Sequence, residues 1–122
     1  MVNKVYLDPD GLLQIWVVGD QTAESVREMG EKVVLYVARQ RDLHQPVLLL
    51  DNIIKMGRTT SEARREVARL AKTLDFDRAA MVGDGSRPMR YSANLMLYAI
   101  GRSNVRYFGS LESARKWLKL II

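Results

Sequence analysis

The sequence contains few side chains that could carry out covalent or metal chemistry. It has no cysteine, which removes thiolate nucleophiles, disulfides and thiolate metal ligands together. Its one histidine, His44, lies in a polar run and is interpreted as an exposed loop residue. Because neither a nucleophile–base pair nor a metal-binding set can be assembled from these residues, the sequence predicts a protein that is not an enzyme and has no cofactor.

A glycine-containing turn is the first candidate ligand site. Gly83, Asp84, Gly85 and Ser86 lie between a predicted buried strand and a predicted helix, where backbone amides could bind an anion at the electropositive helix N-terminus. The further glycines and the Lys-Ser/Thr pair of nucleotide-binding fingerprints are missing. Asp84 would also repel a phosphate beside it. A tight turn that leads into the helix is therefore the first interpretation, and an anion-binding loop is the alternative.

A run of hydroxyl residues precedes the second predicted helix. Thr59 and Glu62 have the spacing of a capping box, so Thr59 is predicted to be the N-cap residue. Thr60 and Ser61 lie at the same helix start, and both are candidate phosphoacceptors. A phosphate would be electrostatically favourable there, because three basic residues are close in sequence, namely Arg58, Arg64 and Arg65. A purely structural role in helix capping is the alternative.

The third predicted helix is apolar on two opposite sides. At about 100° per residue, one side is a core stripe that consists of Met89, Ala93, Met96, Leu97 and Ile100. The opposite side carries Tyr91, Leu95 and Tyr98, joined by Arg102. Tyrosine and arginine are enriched at the centres of protein interfaces, so this outer side is a candidate protein–protein interface. The alternative is that other elements of the same chain cover it.

Alternating strands and helices have to position these candidates. Two strands, at 5–7 and 13–17, flank the turn Asp8-Pro9-Asp10-Gly11 and form an antiparallel hairpin. Buried strands are predicted at 47–50 and 79–82, and a last strand at 105–108. Between the first two of these, residues 51–58 are predicted to form a loop, which contains an apolar cluster of Ile53, Ile54 and Met56.

Amphipathic helices fill the remaining segments. The first runs from about Thr22 to Arg39, the second from Thr59 to Leu74, and the third follows Ser86. The fourth is capped by Ser110, with an inner stripe of Leu111, Ala114, Leu118 and Ile121. The resulting order, β-β-α-β-α-β-α-β-α, predicts a single α/β domain with a mixed sheet, because strands that alternate with helices pair in parallel.

Three segments resemble a known family. They are Arg78-Ala79-Ala80-Met81-Val82-Gly83-Asp84, Val105-Arg106-Tyr107-Phe108 and Glu112-Ser113-Ala114-Arg115-Lys116-Trp117-Leu118. Together with the element order, they are similar to the STAS fold of anti-sigma-factor antagonists and sulfate-transporter tails, and more closely to the stand-alone bacterial STAS-like (SpoIIAA-like) proteins. The resemblance implies a regulatory or binding module. In the antagonists, a partner kinase phosphorylates a serine at the start of the helix after the third strand, and Thr60 and Ser61 come nearest to that position.

Composition and charge predict one cytoplasmic domain over residues 1–122. Hydrophobic residues make up 48% and charged residues 27%, a balance typical of folded globular proteins. Signal-peptide and membrane-helix patterns are missing, so no membrane partner is expected. Residues 1–61 carry a net charge of −1 and residues 62–122 a net charge of +6. Weak nucleic-acid binding by this basic C-terminal half is an alternative, although its arginines are spread over several elements.

The sequence as a whole favours a STAS-like module that acts through protein–protein interaction. We expect the partner to be a second copy of the chain, in a homodimer, or a kinase or anti-sigma-type regulator. The expected contact is the outer side of the third helix. The first alternative is a domain that binds a small apolar or anionic ligand with the loops around Met56, Thr60 and Ser86.

Overall fold

The structure, a computed structural model, describes residues 2–120 and contains seven strands and four helices in that range. In chain order these elements are β1 (Lys4–Leu7), β2 (Leu12–Trp16), β3 (Gly19–Gln21), α1 (Ala23–Asp42), β4 (Leu48–Asn52), β5 (Met56–Thr59), α2 (Ser61–Thr73), β6 (Arg78–Val82), α3 (Arg87–Ile100), β7 (Val105–Phe108) and α4 (Leu111–Lys119).

Five strands form one mixed sheet in the order β1-β2-β4-β6-β7. Strand β1 pairs with β2 in the predicted antiparallel hairpin, and the other neighbours in the sheet are parallel. In the hairpin turn, Asp8 Oδ1 accepts hydrogen bonds from the amides of Asp10 and Leu12, and Gly11 has a φ of 84°, which glycine adopts without strain. The predicted α/β fold with a mixed sheet is confirmed.

Two short strands, β3 and β5, were not part of the predicted order. They pair in parallel as a separate two-stranded sheet. The prediction that residues 51–58 form a loop is therefore wrong at both ends, because residues 51 and 52 belong to β4 and residues 56–58 to β5. The two strands approach each other closely at Gly57, where a Cβ would collide with Asp20. The Asp20 carboxylate accepts a hydrogen bond of 2.8 Å from the Arg58 amide across the pair. Contacts between distant segments therefore create strands that show no local alternation of apolar and polar residues.

The main sheet is buried on both faces. On one face, Leu48 and Leu50 of β4 pack in a cluster with Ala114 and Leu118 of α4. On the other face, the cluster under α1, α2 and α3 includes Leu49 of β4. Burial on both faces explains why β4 and β6 are nearly continuous apolar runs. Leu111, predicted to belong to the inner stripe of α4, is partly exposed, and Ile121 lies outside the described residues.

Hydroxyl residues cap all four helices. The predicted start of the second helix is displaced by one residue: Thr60, not Thr59, is the N-cap, and its Oγ1 accepts a hydrogen bond of 3.1 Å from the Ala63 amide. The prediction for Thr59 is wrong because this residue ends β5, where it pairs with Gln21. Ser86 and Ser110 cap α3 and α4 as predicted, and Thr22 caps α1.

We expect Thr60→Ala to destabilise the protein by about 1 kcal/mol, because the Ala63 amide loses its partner. The neighbouring change Thr59→Ala is the matched control and should not destabilise the protein, because the buried Thr59 hydroxyl donates to and accepts from no group among residues 2–120. Urea unfolding followed by circular dichroism measures both. A larger loss for Thr59→Ala than for Thr60→Ala would contradict the position of the cap.

Candidate functional site

A cavity of about 350 Å³ lies between the sheet and the helices α1, α2 and α3. Its walls are mainly apolar and include Met29, Leu70, Phe76, Met81, Met96 and Ile100. On the α2 side of this space, Ala63 is buried, whereas Val67, Leu70 and Ala71 are half-buried and line the cavity. The volume falls in the range of small-molecule pockets.

One carboxyl group faces this apolar space. Asp51 follows Leu49 on β4 with the alternation of a strand, so both side chains, with Ile53 beyond them, lie on the cavity side of the sheet. Asp51 Oδ1 is buried and has no hydrogen-bond partner among residues 2–120. Burial alone raises the pKa of Asp51 from 3.8 to about 7, because the low-dielectric surroundings disfavour the ionised form.

A second unpaired polar group, the hydroxyl of Thr59, lines the same cavity. Thr59 Oγ1 is buried and, like Asp51 Oδ1, lacks a partner within the described part of the chain. Two exposed arginines stand beside it at the rim, Arg58 on β5 and Arg64 on α2. Arg64 Nη1 donates a hydrogen bond of 2.6 Å to the carbonyl oxygen of Thr59, which ties the start of α2 to the end of β5.

The predicted ligand loops do not come together at this cavity. Met56 lines it, whereas the turn of Gly83, Asp84, Gly85 and Ser86 does not. The amides of this turn are used internally: that of Gly83 donates to Phe108 O, that of Gly85 to the Tyr107 hydroxyl and that of Ser86 to Asp84 Oδ1. Because three of the four amides are occupied, the interpretation as a tight turn describes this segment better than an anion-binding loop.

The two candidate phosphoacceptors differ in their surroundings. Thr60 Oγ1 is occupied as the cap of α2, while Ser61 is the first helical residue, and its exposed hydroxyl lies 3.3 Å from Glu62 Oε2. Neither residue lines the cavity. Ser61 is therefore the hydroxyl that an enzyme could modify without removing the cap.

The outer side of α3 is exposed over three large side chains. Tyr91, Leu95 and Tyr98 are 67%, 56% and 90% exposed, while Ala93 and Ile100 on the inner side are buried. We call the three exposed residues the α3 outer face. No described element of the chain covers it, so the alternative of an internal partner does not apply to residues 2–120.

Arg102 does not belong to the α3 outer face, and that part of the sequence prediction is wrong. The helix ends at Gly101, whose φ of 68° turns the chain out of the helical path. The Arg102 guanidinium donates to the carbonyl oxygens of Ala71 and Leu74 and lies 3.8 Å above the ring of Phe76. It connects the end of α3 to the end of α2.

Comparison with known proteins places the chain in a family. The model of the SpoIIAA-like family matches residues 12–119, so the chain belongs to this family. A search of curated proteins finds no match. Within residues 2–120, no helix is long and apolar enough to span a membrane, and no three His, Cys, Asp or Glu side chains lie close enough to bind a metal.

Two solved structures show the same fold. An uncharacterized protein of the DUF3478 family with a SpoIIAA-like fold, from Shewanella loihica PV-4, is 18% identical, with a TM-score of 0.67 over 96% of this chain and 92% of that chain. The anti-sigma factor antagonist SpoIIAA in its unphosphorylated form is 13% identical, with a TM-score of 0.62 over 97% of this chain and 98% of that chain. The predicted resemblance to SpoIIAA-like proteins is confirmed.

Sequence reasoning missed Asp51 and the cavity that it faces. The available signal was a carboxylate placed directly after the apolar run Leu48-Leu49-Leu50, on the same side of the strand as Leu49. A charged residue at an inward position of a buried strand is rare unless it has a partner. That signal indicates a special position, whereas the volume beside it depends on how three helices pack.

We expect Asp51→Asn to stabilise the protein at neutral and alkaline pH. Between pH 3.8 and about 7 the folded wild type retains a proton that the unfolded chain releases, so the contribution of Asp51 to stability falls as pH rises and reaches its minimum above about pH 7. The uncharged amide avoids this loss. The gain should be near zero below about pH 4 and about 4 kcal/mol above about pH 8.

Urea denaturation of wild type and Asp51→Asn across this pH range provides the measurement. The difference between the two proteins removes the contributions of Asp8 and Asp77. Burial raises the pKa of each of these carboxyls, but their hydrogen bonds lower it by more, so the net shift is downward. Their stabilising contribution is therefore lost at low pH, opposite to that of Asp51. A constant difference between the two proteins at all pH values would show that Asp51 is not a buried, unpaired carboxyl.

Proposed function

We propose that this protein is a regulatory module that acts by binding protein and not by catalysis, and that the α3 outer face is its contact surface. The observation that carries the proposal is the exposure of Tyr91, Leu95 and Tyr98 on a helix whose other side is already packed. Burial of side chains of this size contributes about 1.5–3 kcal/mol each, so a partner that covers them gains substantial free energy. Aromatic residues are also the commonest interface hot spots.

The spacing of the α3 outer face favours a second copy of the chain as its occupant. Residues 91, 95 and 98 follow one another at helical spacing along one side of α3. The midpoint between Tyr91 and Tyr98 falls beside Leu95, so an antiparallel pairing about a two-fold axis at Leu95 brings each Tyr91 onto Tyr98 of the other copy. Each leucine then lies at the centre of the contact.

Charge supports the same arrangement. Arg87 lies in the first turn of α3, which contains no acidic residue, and it is exposed. In an antiparallel pair it lies beside the C-terminal end of the other α3, where the helix dipole favours positive charge. A parallel pairing would bring the arginines of the two copies together, and their repulsion disfavours it.

The family supports a regulatory role for this protein. SpoIIAA, which shares the fold, is an anti-sigma factor antagonist, a protein whose action is on another protein. For this chain we propose a kinase or an anti-sigma-type regulator as the partner beyond the second copy. A sequence identity of 13% supports a shared fold and not a shared partner, so the partner of this chain has to be identified by experiment.

Nucleic-acid binding by the basic half of the chain is less well supported. Several of its arginines are used within the protein: Arg78 donates to Trp117 O and lies 4.7 Å above its ring, and Arg115 pairs with Asp8 at 3.2 Å. Arg102 is bonded to backbone carbonyls. These side chains are therefore not free to form a continuous stripe that could follow a phosphate backbone.

We expect Leu95→Asp to convert a wild-type dimer into a monomer, because the change places a carboxylate at the centre of the apolar contact. The matched control is Leu35→Asp on α1, since Leu35 is 71% exposed and lies on another face. The control should remain dimeric. Sedimentation velocity over a range of concentrations, with circular dichroism to show that each variant is folded, measures the effect.

Three results would contradict the proposed contact. The first is a wild type that remains monomeric at high concentration and forms no cross-link from a photoreactive residue at position 98. The second is dissociation by Leu35→Asp as well as by Leu95→Asp. The third is co-sedimentation with lipid vesicles through Leu95 without any dimer, which would assign the α3 outer face to a membrane surface.

We propose Ser61 as the regulatory phosphoacceptor, supported by its exposed hydroxyl at the N-terminus of α2 and by the nearby Arg64 and Arg65. The local sequence lacks the Asp-Ser-Ser-Gly pattern of the antagonists. We expect a phosphorylated fraction in protein purified from its native host, detected by intact-mass spectrometry and lost in Ser61→Ala. A phosphate that persists in Ser61→Ala but disappears in Thr60→Ala would transfer the assignment to Thr60.

A further inference from the structure

The cavity described above contains two polar atoms that the protein does not satisfy. Buried polar groups in folded proteins almost always have hydrogen-bond partners, and an unpaired one destabilises the fold. Gln21, another polar side chain in the wall, shows the usual situation, since its amide bonds to Asn3, Ser25 and backbone carbonyls. Asp51 Oδ1 and Thr59 Oγ1 are the exceptions among the described residues.

The walls suit a ligand that is larger than water and mainly apolar. Four methionines line the cavity, Met29, Met56, Met81 and Met96. Methionine is flexible and polarizable, so it adapts to ligands of different shape. Water in such a space would need several polar partners, and the apolar walls provide few.

We propose that this cavity binds a small, uncharged, mainly apolar molecule that carries one hydroxyl or amide group, and that Asp51 and Thr59 bind that group. A hydroxyl or amide can donate to Asp51 Oδ1 and exchange a second hydrogen bond with the Thr59 hydroxyl. Such a ligand satisfies both unpaired atoms while its apolar part fills the space between α2, α3 and the sheet. This site is independent of the α3 outer face, since Tyr91, Leu95 and Tyr98 do not line it.

The charges around the cavity argue against an ionic ligand. A carboxylate ligand would lie beside Asp51, whose negative charge repels it whenever the side chain is ionised. Arg58 and Arg64, the other charged residues that line the cavity, stand exposed at its rim and would repel an entering cation. Either ion would also lose its hydration in walls that are mainly apolar.

Titration of the protein with 1-octanol, followed by NMR of the labelled methionine methyl groups, tests the proposal. We expect shifts at Met29, Met81 and Met96, which line the cavity, and none at Met89, which does not. Octanoate and octylammonium, which have the same chain length, should bind at least about ten-fold more weakly than 1-octanol because of their charge.

Substitutions locate the site and its polar contact. Val67→Phe should abolish binding, because the larger side chain occupies the cavity, whereas Val34→Phe on the exposed side of α1 should leave it unchanged. Asp51→Leu should weaken 1-octanol binding about three- to ten-fold by loss of the hydrogen bond. Asp51→Asn retains a donor and an acceptor and should bind within about two-fold of the wild type.

Each variant is first shown to be folded by its amide NMR spectrum. Shifts that include Met89 as strongly as Met81, or binding that survives Val67→Phe, would overturn the site. Octanoate that binds as tightly as 1-octanol, or unchanged 1-octanol affinity in Asp51→Leu, would overturn the chemical class of the ligand. None of these results bears on dimerisation, so failure of this site is distinguishable from failure of the α3 contact.

Discussion

Burial of the central parallel strands on both faces is the constraint on which the rest of the structure depends. Strands β4 and β6 lie between β2 and β7, and their apolar side chains alternate between the two faces. Right-handed crossovers between parallel strands then place helices on each side. Helix α4 covers one face alone and packs tightly there, whereas α1, α2 and α3 share the other. The shared face is the one that is incompletely filled.

The unequal covering of the two sheet faces explains the surroundings of Asp51 and of α3. On the tightly packed face a carboxyl such as that of Asp51 would have no space beside it, but on the shared face it lies against a cavity. Helix α3 forms part of the wall of that cavity with Met96 and Ile100, and it presents Tyr91 and Tyr98 outward. One helix thus separates the internal cavity from the exposed α3 outer face, each with its own set of side chains.

The sequence was sufficient for features that local patterns determine. The hairpin turn follows from Asp8 and Gly11, and the α3 outer face follows from helical spacing alone. Prediction failed where distant segments decide the outcome. Residues 56–59 become a strand because residues 19–21 pair with them, which in turn moves the cap of α2 from Thr59 to Thr60. Arg102 leaves the helical face because Gly101 ends the helix, and the cavity depends on how three helices fit together.

The central claim is that Asp51 is a buried, unpaired carboxyl that faces an apolar cavity. The most direct test is an NMR titration of its side-chain carboxyl carbon in the folded protein, with Asp51→Asn to assign the resonance. The structure predicts a pKa of about 7, because burial is the one influence on this group and no cation pairs with it among residues 2–120. A pKa near the ordinary value of 3.8 would show that the side chain is hydrated or paired, and would contradict the account of the cavity.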